Sequence, residues 1–399
     1  MRAHALAVAV ALTIGAAGPA AAAEKKYDQG ASDTEIKLGQ TMPYSGPASY
    51  VGMVGRTQLA YFRMINEKGG INGRKVELIS LDDAYNPAKT VEATRRLVEG
   101  DGILATMSSN GTVTQAAVQK YLNSKGIPQL LIGSGSSRWN EPKTFPWSTG
   151  ALSLYLTEGR IFGRWLLANK PDAKLGILSQ NDDLGRDFLR GIKEGLGDKA
   201  ATMIVAEQTY DLTEPTVDSQ IVTLSKSGAN VFFNITTGKF VTQSVRKVKE
   251  LNWPVLHYLM SASATYSLLA AAGLENAKGL MTVQTVKRLA SPEWNNDPEV
   301  KTYEAFRAKY AADIPAQEEV GFYAYSSAVI MHRILEACGD DLTRANILKH
   351  ATNLKGQTSP ILLPGITLNT SPSDYEPVTV FYMGVFNGTG WEISKDPIR

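Results

Sequence analysis

The chain has 399 residues, 43% of them hydrophobic and 20% charged, with a formal net charge of +2. That balance fits a globular fold of two domains of ~150 residues each plus connections, and it supplies no electrostatic pull toward nucleic acid or acidic membranes. One cysteine, Cys338, excludes an intrachain disulfide framework, and its helical setting predicts a buried structural thiol.

Arg2 and His4 precede an apolar run over 5–17, then Pro19 and Ala21-Ala22-Ala23. This reads as a signal peptide, 1–23, cleaved near Ala23. No later apolar run reaches the ~20 residues of a bilayer crossing, so an exported, periplasmic protein without membrane insertion is expected.

The next elements alternate. Strands are expected over 36–42, 76–81, 103–107 and 128–132, with helices over 54–66, 87–99 and 112–123 between them. Gly69 is placed to stop the first helix, and Gly73 turns the chain back into a strand. Asn86-Pro87 supplies an N-cap and a proline at the first helical position. Pro146 and Trp147 interrupt the pattern, and a crossing to a second domain is placed near 149–152. The alternation restarts with helix 155–168 and strand 174–179. A helix then runs to Gly191, with strand 202–207 and helix 217–226 after it. Strand 231–235, helix 240–250, strand 255–260, a short helix to Ala272 and strand 279–283 complete that half. A second crossing is expected near 284–287, helices over 297–311, 321–337 and 342–351, a third crossing near 356–361, and a terminal hairpin over 378–393.

The fold class is therefore α/β: two doubly wound α/β lobes joined by three hinge crossings. Lobe 1 takes 34–150 plus 286–358; lobe 2 takes 151–285 plus 359–399. Ligands of open α/β sheets bind beyond the carboxyl ends of the strands. Two such ends facing each other across a hinge make a cleft that closes on a guest.

The wording Ser45-Gly46-Pro47, followed by Ile65-Asn66-Glu67-Lys68-Gly69-Gly70-Ile71-Asn72-Gly73-Arg74-Lys75-Val76, resembles the periplasmic solute-binding proteins of ABC importers, of the leucine/isoleucine/valine-binding type. The resemblance recurs along nearly the whole mature chain. It implies the type I periplasmic binding fold, a monomer, and an ABC permease and ATPase as partners. It also implies that a small carboxylate is held by two loops, one at Ser109, Asn110, Gly111 and Thr112, the other at Ser134, Ser136, Ser137 and Arg138. Both lie where a strand ends and a helix begins, a natural anion site, although Ser109 or Thr112 alone reads equally as an N-cap. Tyr44, Ser45 and Tyr50 occupy the loop where the family often sets an aromatic over the ligand.

In the second lobe the sequence departs from the pattern. Leu184 stands where an aromatic precedes glycine, and Thr237 lies in a loop that is elsewhere rich in glycine and tyrosine. Ser261-Ala262-Ser263 replaces the glutamate that pairs with a ligand ammonium. With no acid in that window, a buried ammonium lacks its partner. The expected ligand is therefore a carboxylate without an α-amino group, first a benzoate- or cinnamate-like acid, as in aromatic-acid-binding members. A branched-chain amino-acid or amide ligand, a periplasmic sensor and a secreted hydrolase are the alternatives. Against the last, His257, His332 and His350 are scattered, and no HExxH, GxSxG, Walker or GxGxxG motif is present. No cofactor or metal is expected. Asp82-Asp83 and Asp182-Asp183 read as helix-capping acids.

Overall fold

The structure, a computed structural model, describes residues 25–398; the expected signal peptide lies outside the described residues. Apolar runs bounded by polar loops form the strands. β1 (Lys26–Tyr27) makes a two-residue ladder with a late partner. β2 (Glu35–Met42), β3 (Lys75–Asp82), β4 (Ala105–Met107), β5 (Gln129–Ile132) and β6 (Ser148–Gly150) build the first sheet, in the order β3-β2-β4-β5-β6 and all parallel. β6 went unread in the sequence, because Pro146 and Trp147 break the apolar pattern just before it.

The second sheet holds β7 (Leu175–Gln180), β8 (Ile204–Tyr210), β9 (Val231–Ile235), β10 (Leu256–Leu259) and β11 (Met281–Gln284). β12 (Asp341–Leu342) pairs with β1. β13 (Tyr382–Phe386) and β14 (Trp391–Ile393) extend the second sheet as an antiparallel hairpin. The parallel part runs β8-β7-β9-β10-β11, the same winding order as the first sheet. β8 begins later than expected, because residues 200–203 form a helical turn.

The crossings form the hinge. Val286 bridges Leu362 antiparallel, Lys287 N donates to Ile361 O at 2.7 Å, and Leu363 N donates to Thr285 O at 3.0 Å. Ile361, Leu362, Leu363, Ile366, Leu368 and Val378 pack into the same core as Leu38 and Phe322, so the chain joins the second sheet only at β13. These aliphatic side chains cover apolar surface of the first lobe that would otherwise face water.

In the second lobe, helices Tyr155–Asn169 and Asp183–Leu196 touch backbone to backbone. A Cβ at Gly159 would lie 2.7 Å from Phe188 O, and one at Gly163 2.9 Å from Ile192 O. At Gly191 and Gly195 it would overlap the carbonyls of Leu156 and Arg160.

Candidate ligand cavity between the lobes

The carboxyl ends of the two sheets face each other across a cavity of about 260 Å³. The first lobe contributes Tyr50, Val51, Tyr85, Asn110, Gly111 and Thr112. The second contributes Tyr155, Leu184, Thr237, Ser261 and Ser263, and Arg288, Glu319 and Tyr323 stand at the hinge end. Gly111, at φ 105°, caps helix Thr112–Ser124 without a side chain, so the helix opens on the cavity uncapped. The first N–H groups of such a helix lack intrahelical partners. Thr112 Oγ1 lies 2.8 Å from Ser134 Oγ just beside this terminus.

Eight of the expected contact residues line the cavity: Tyr50, Asn110, Gly111, Thr112, Leu184, Thr237, Ser261 and Ser263. The other seven do not. Tyr44 OH is spent on Ser80 Oγ at 2.5 Å, and exposed Ser45 donates its hydroxyl to Asp82 Oδ2 at 2.6 Å. Ser109 Oγ accepts from Thr41 N at 3.0 Å within the sheet end, and Ser134 sits behind Thr112. The loop carrying Ser136, Ser137 and Arg138 grips the opposite lobe instead. Asp187 accepts from Ser136 Oγ at 3.0 Å, Ser137 N at 2.7 Å and Ser137 Oγ at 2.8 Å, and Arg138 pairs with Asp183 at 3.0 Å. These bonds span the cleft, so the lobes are closed on each other.

The residues missed in the sequence are mostly aromatic or acidic. Tyr85 is presented by a turn in which Ala84 (φ 51°) and Tyr85 (φ 56°) are both left-handed. The preceding acids hold that turn: Asp82 accepts from Ala84 N at 3.0 Å, and Asp83 from Tyr85 N at 2.9 Å. Such conformations persist where the surroundings enforce them. The Tyr85 ring leaves no room for a side chain at residue 111, where a Cβ would approach within 2.6 Å. Two acids after a strand end, followed by an aromatic, were the available signal. Tyr155 and Tyr323 come from helices, with no local mark.

An acid from outside the 261–263 window faces it in space, Glu158. Its carboxyl accepts from Ser261 N at 2.8 Å, Ser261 Oγ at 2.5 Å and Tyr258 OH at 2.8 Å. It reaches Ser261 from 103 residues upstream, too far for the local sequence to show. Burial raises its pKa against these three donors. Burial also pushes Glu319 up to about 7, against the opposing pull of Arg288 and of Tyr266 N, which donates to its carboxyl at 2.9 Å. Arg288 is buried, and its guanidinium donates to Gln284 Oε1 at 2.8 Å, Ala264 O at 2.9 Å and Ser261 O at 3.3 Å. Burial lowers its pKa while Glu319 and Glu158 hold it up. His257 is buried against Asn234, and burial lowers its pKa to about 3. Among the described residues no group of three or more His, Cys, Asp or Glu side chains could hold a metal ion, and no helix is long and apolar enough to cross a membrane.

Two doubly wound lobes, hinged by paired crossings and shut over a cavity at their strand ends, define a clamp-type binding fold. The chain belongs to the family described as periplasmic binding protein, whose model matches residues 35–389. It is 23% identical over 207 residues to Leu/Ile/Val-binding protein homolog 1 of Brucella abortus, covering 51% of this chain and 54% of that one. The chain thus spans about half the length of the first curated relatives it matches. A longer match, 24% identical over 358 residues and 86% of both chains, is to homolog 3 of Brucella melitensis. Among solved structures, a substrate-binding periplasmic protein from Ralstonia solanacearum superposes with TM-score 0.80 at 21% identity, covering 90% of this chain and all of that one. A solute-binding protein from R. palustris in complex with benzoate superposes with TM-score 0.73 at 18% identity, covering 90% and 94%.

Proposed function

We propose that the protein is an extracytoplasmic solute-binding component that captures a small carboxylate between its lobes and delivers it to a membrane permease and its ATPase. The observation that carries this reading is the uncapped helix start at Gly111–Thr112, opening on a cavity walled by tyrosines. Free first-turn N–H groups favour an anion. Tyr50, Tyr85, Tyr155 and Tyr323 suit a flat aromatic body. A benzoate- or cinnamate-like acid is therefore the first ligand. Glu158 is a poor partner for an ammonium, because three donors already occupy its oxygens and burial favours its neutral form. Closure of the clasp needs only differential contacts with the guest, and no nucleophile.

A second reading, capture of a branched-chain amino acid or amide, is favoured by the presence of Glu158 and Glu319 in the cavity wall and by the names of the curated relatives. Isothermal titration with benzoate, cinnamate, leucine and valine separates the two. Micromolar or tighter binding of an aromatic acid, with none for leucine or valine, supports the first; the reverse pattern overturns it.

A further inference from the structure

We infer that the ligand is an elongated acid whose apolar tail runs from the cleft into a second chamber beneath the hinge. This rests on the carboxylate reading above and narrows its substrate class. The cavity does not end at the tyrosines. It continues past Leu131 to Ile330, Ala351, Leu354, Leu362 and Val378, from the first lobe and the third crossing, with Ser326, Ser327, Ser359 and Thr370 among them.

Protein interiors leave few voids larger than a water molecule. An apolar void forfeits the contacts of its lining and admits apolar guests in preference to water. Leu131 stands at the entrance with φ 52°, within β5, where the pairing with β6 shifts register. A strand that packed regularly would not place leucine in that conformation. The whole cavity, about 260 Å³, exceeds the roughly 150 Å³ that holds a single benzene ring in an engineered core. Of the hydroxyls in the chamber wall, Ser326 Oγ is buried and without a hydrogen-bond partner. The helix start at Gly111–Thr112 favours an anion, and the stretch formed by Ile330, Ala351, Leu354, Leu362 and Val378 offers a hydrocarbon surface. That polarity fits a molecule with a carboxylate at one end and hydrocarbon at the other.

The test is titration calorimetry with ω-phenylalkanoates, from benzoate through phenylacetate, 3-phenylpropionate and 4-phenylbutyrate to 6-phenylhexanoate. Affinity is expected to rise about fourfold for each methylene that enters the chamber, then level off. Ala351→Leu, which fills the chamber, should lower the ratio of 6-phenylhexanoate to benzoate affinity at least tenfold. Ser326→Val serves the same purpose if the first variant fails to fold by circular dichroism. Binding of benzoate with no gain along the series overturns the chamber and leaves the carboxylate reading standing. So does a gain that neither filled variant alters. Binding by no member of the series overturns both.

Discussion

Replacing Asp187 with alanine should open the clamp. In the closed form its carboxylate takes three hydrogen bonds from the opposite lobe, at 2.7–3.0 Å, from Ser136 Oγ, Ser137 N and Ser137 Oγ. When the lobes part, water can replace every one of them. The variant therefore loses stabilisation in the closed state and little in the open one. Hydrogen bonds to a charged acceptor contribute ~1.5–3 kcal/mol each where fully desolvated. Asp187 is buried, and Arg190 already shares its Oδ1 at 3.1 Å. We take about 2 kcal/mol for the set, which is ~30-fold in the open–closed equilibrium and hence in apparent affinity. Titration with the best-bound acid of the series above gives the affinity, and small-angle scattering of the ligand-saturated protein gives the radius of gyration. Asp187→Asn, which keeps one acceptor oxygen, should fall between wild type and alanine. An alanine variant with affinity within twofold of wild type and an unchanged radius would refute the clasp.

Further expectations concern stability and reactivity. Glu319 has a folded pKa near 7 against an ordinary 4.5, so the folded state holds its proton more tightly than the unfolded chain. Its stabilisation is complete below about 4.5 and is lost as the pH rises through 7, at most about 3 kcal/mol. Urea unfolding at pH 5 and pH 8 should show that loss, and Glu319→Gln should flatten it; an unchanged pH dependence in the variant would exclude Glu319 as its source. Gly191→Ala drives a methyl into the Leu156 carbonyl and should destabilise by ~1–3 kcal/mol, read as a fall in Tm of several degrees; a Tm within one degree of wild type would disprove the close helix contact. Cys338 is buried, and burial pushes its thiol up to about 12, so Ellman's reagent should label it only after unfolding. Rapid labelling of the native protein would contradict that placement.

The βα alternation was legible because strands such as β5, β7 and β9 are apolar runs closed by polar loops, and because Asn86 caps its helix through Ala88 N at 2.9 Å. β6 was not legible, since two bulky residues precede three small ones. Of the site, the strand-end loop at 110–112 could be read, as its chemistry is contiguous in the chain. Glu158 could not be read, because only packing of its helix on β10 sets it against Ser261. Ser136 and Ser137 illustrate a different failure. Hydroxyls at a strand end suit an anion, and here the anion is Asp187 of the chain itself. Chain order puts the segment 361–378 with lobe 2, while its aliphatic side chains pack into the core that holds Leu38 and Phe322.

The glycine contacts between helices Tyr155–Asn169 and Asp183–Leu196 tie two distant tasks together. One helix carries Glu158 on the cavity wall; the other carries Asp187 against Ser136 and Ser137. With their backbones touching, neither helix can tilt without taking its neighbour along. A shift of either helix is therefore shared by the residues around Ser261 and by those around Ser137.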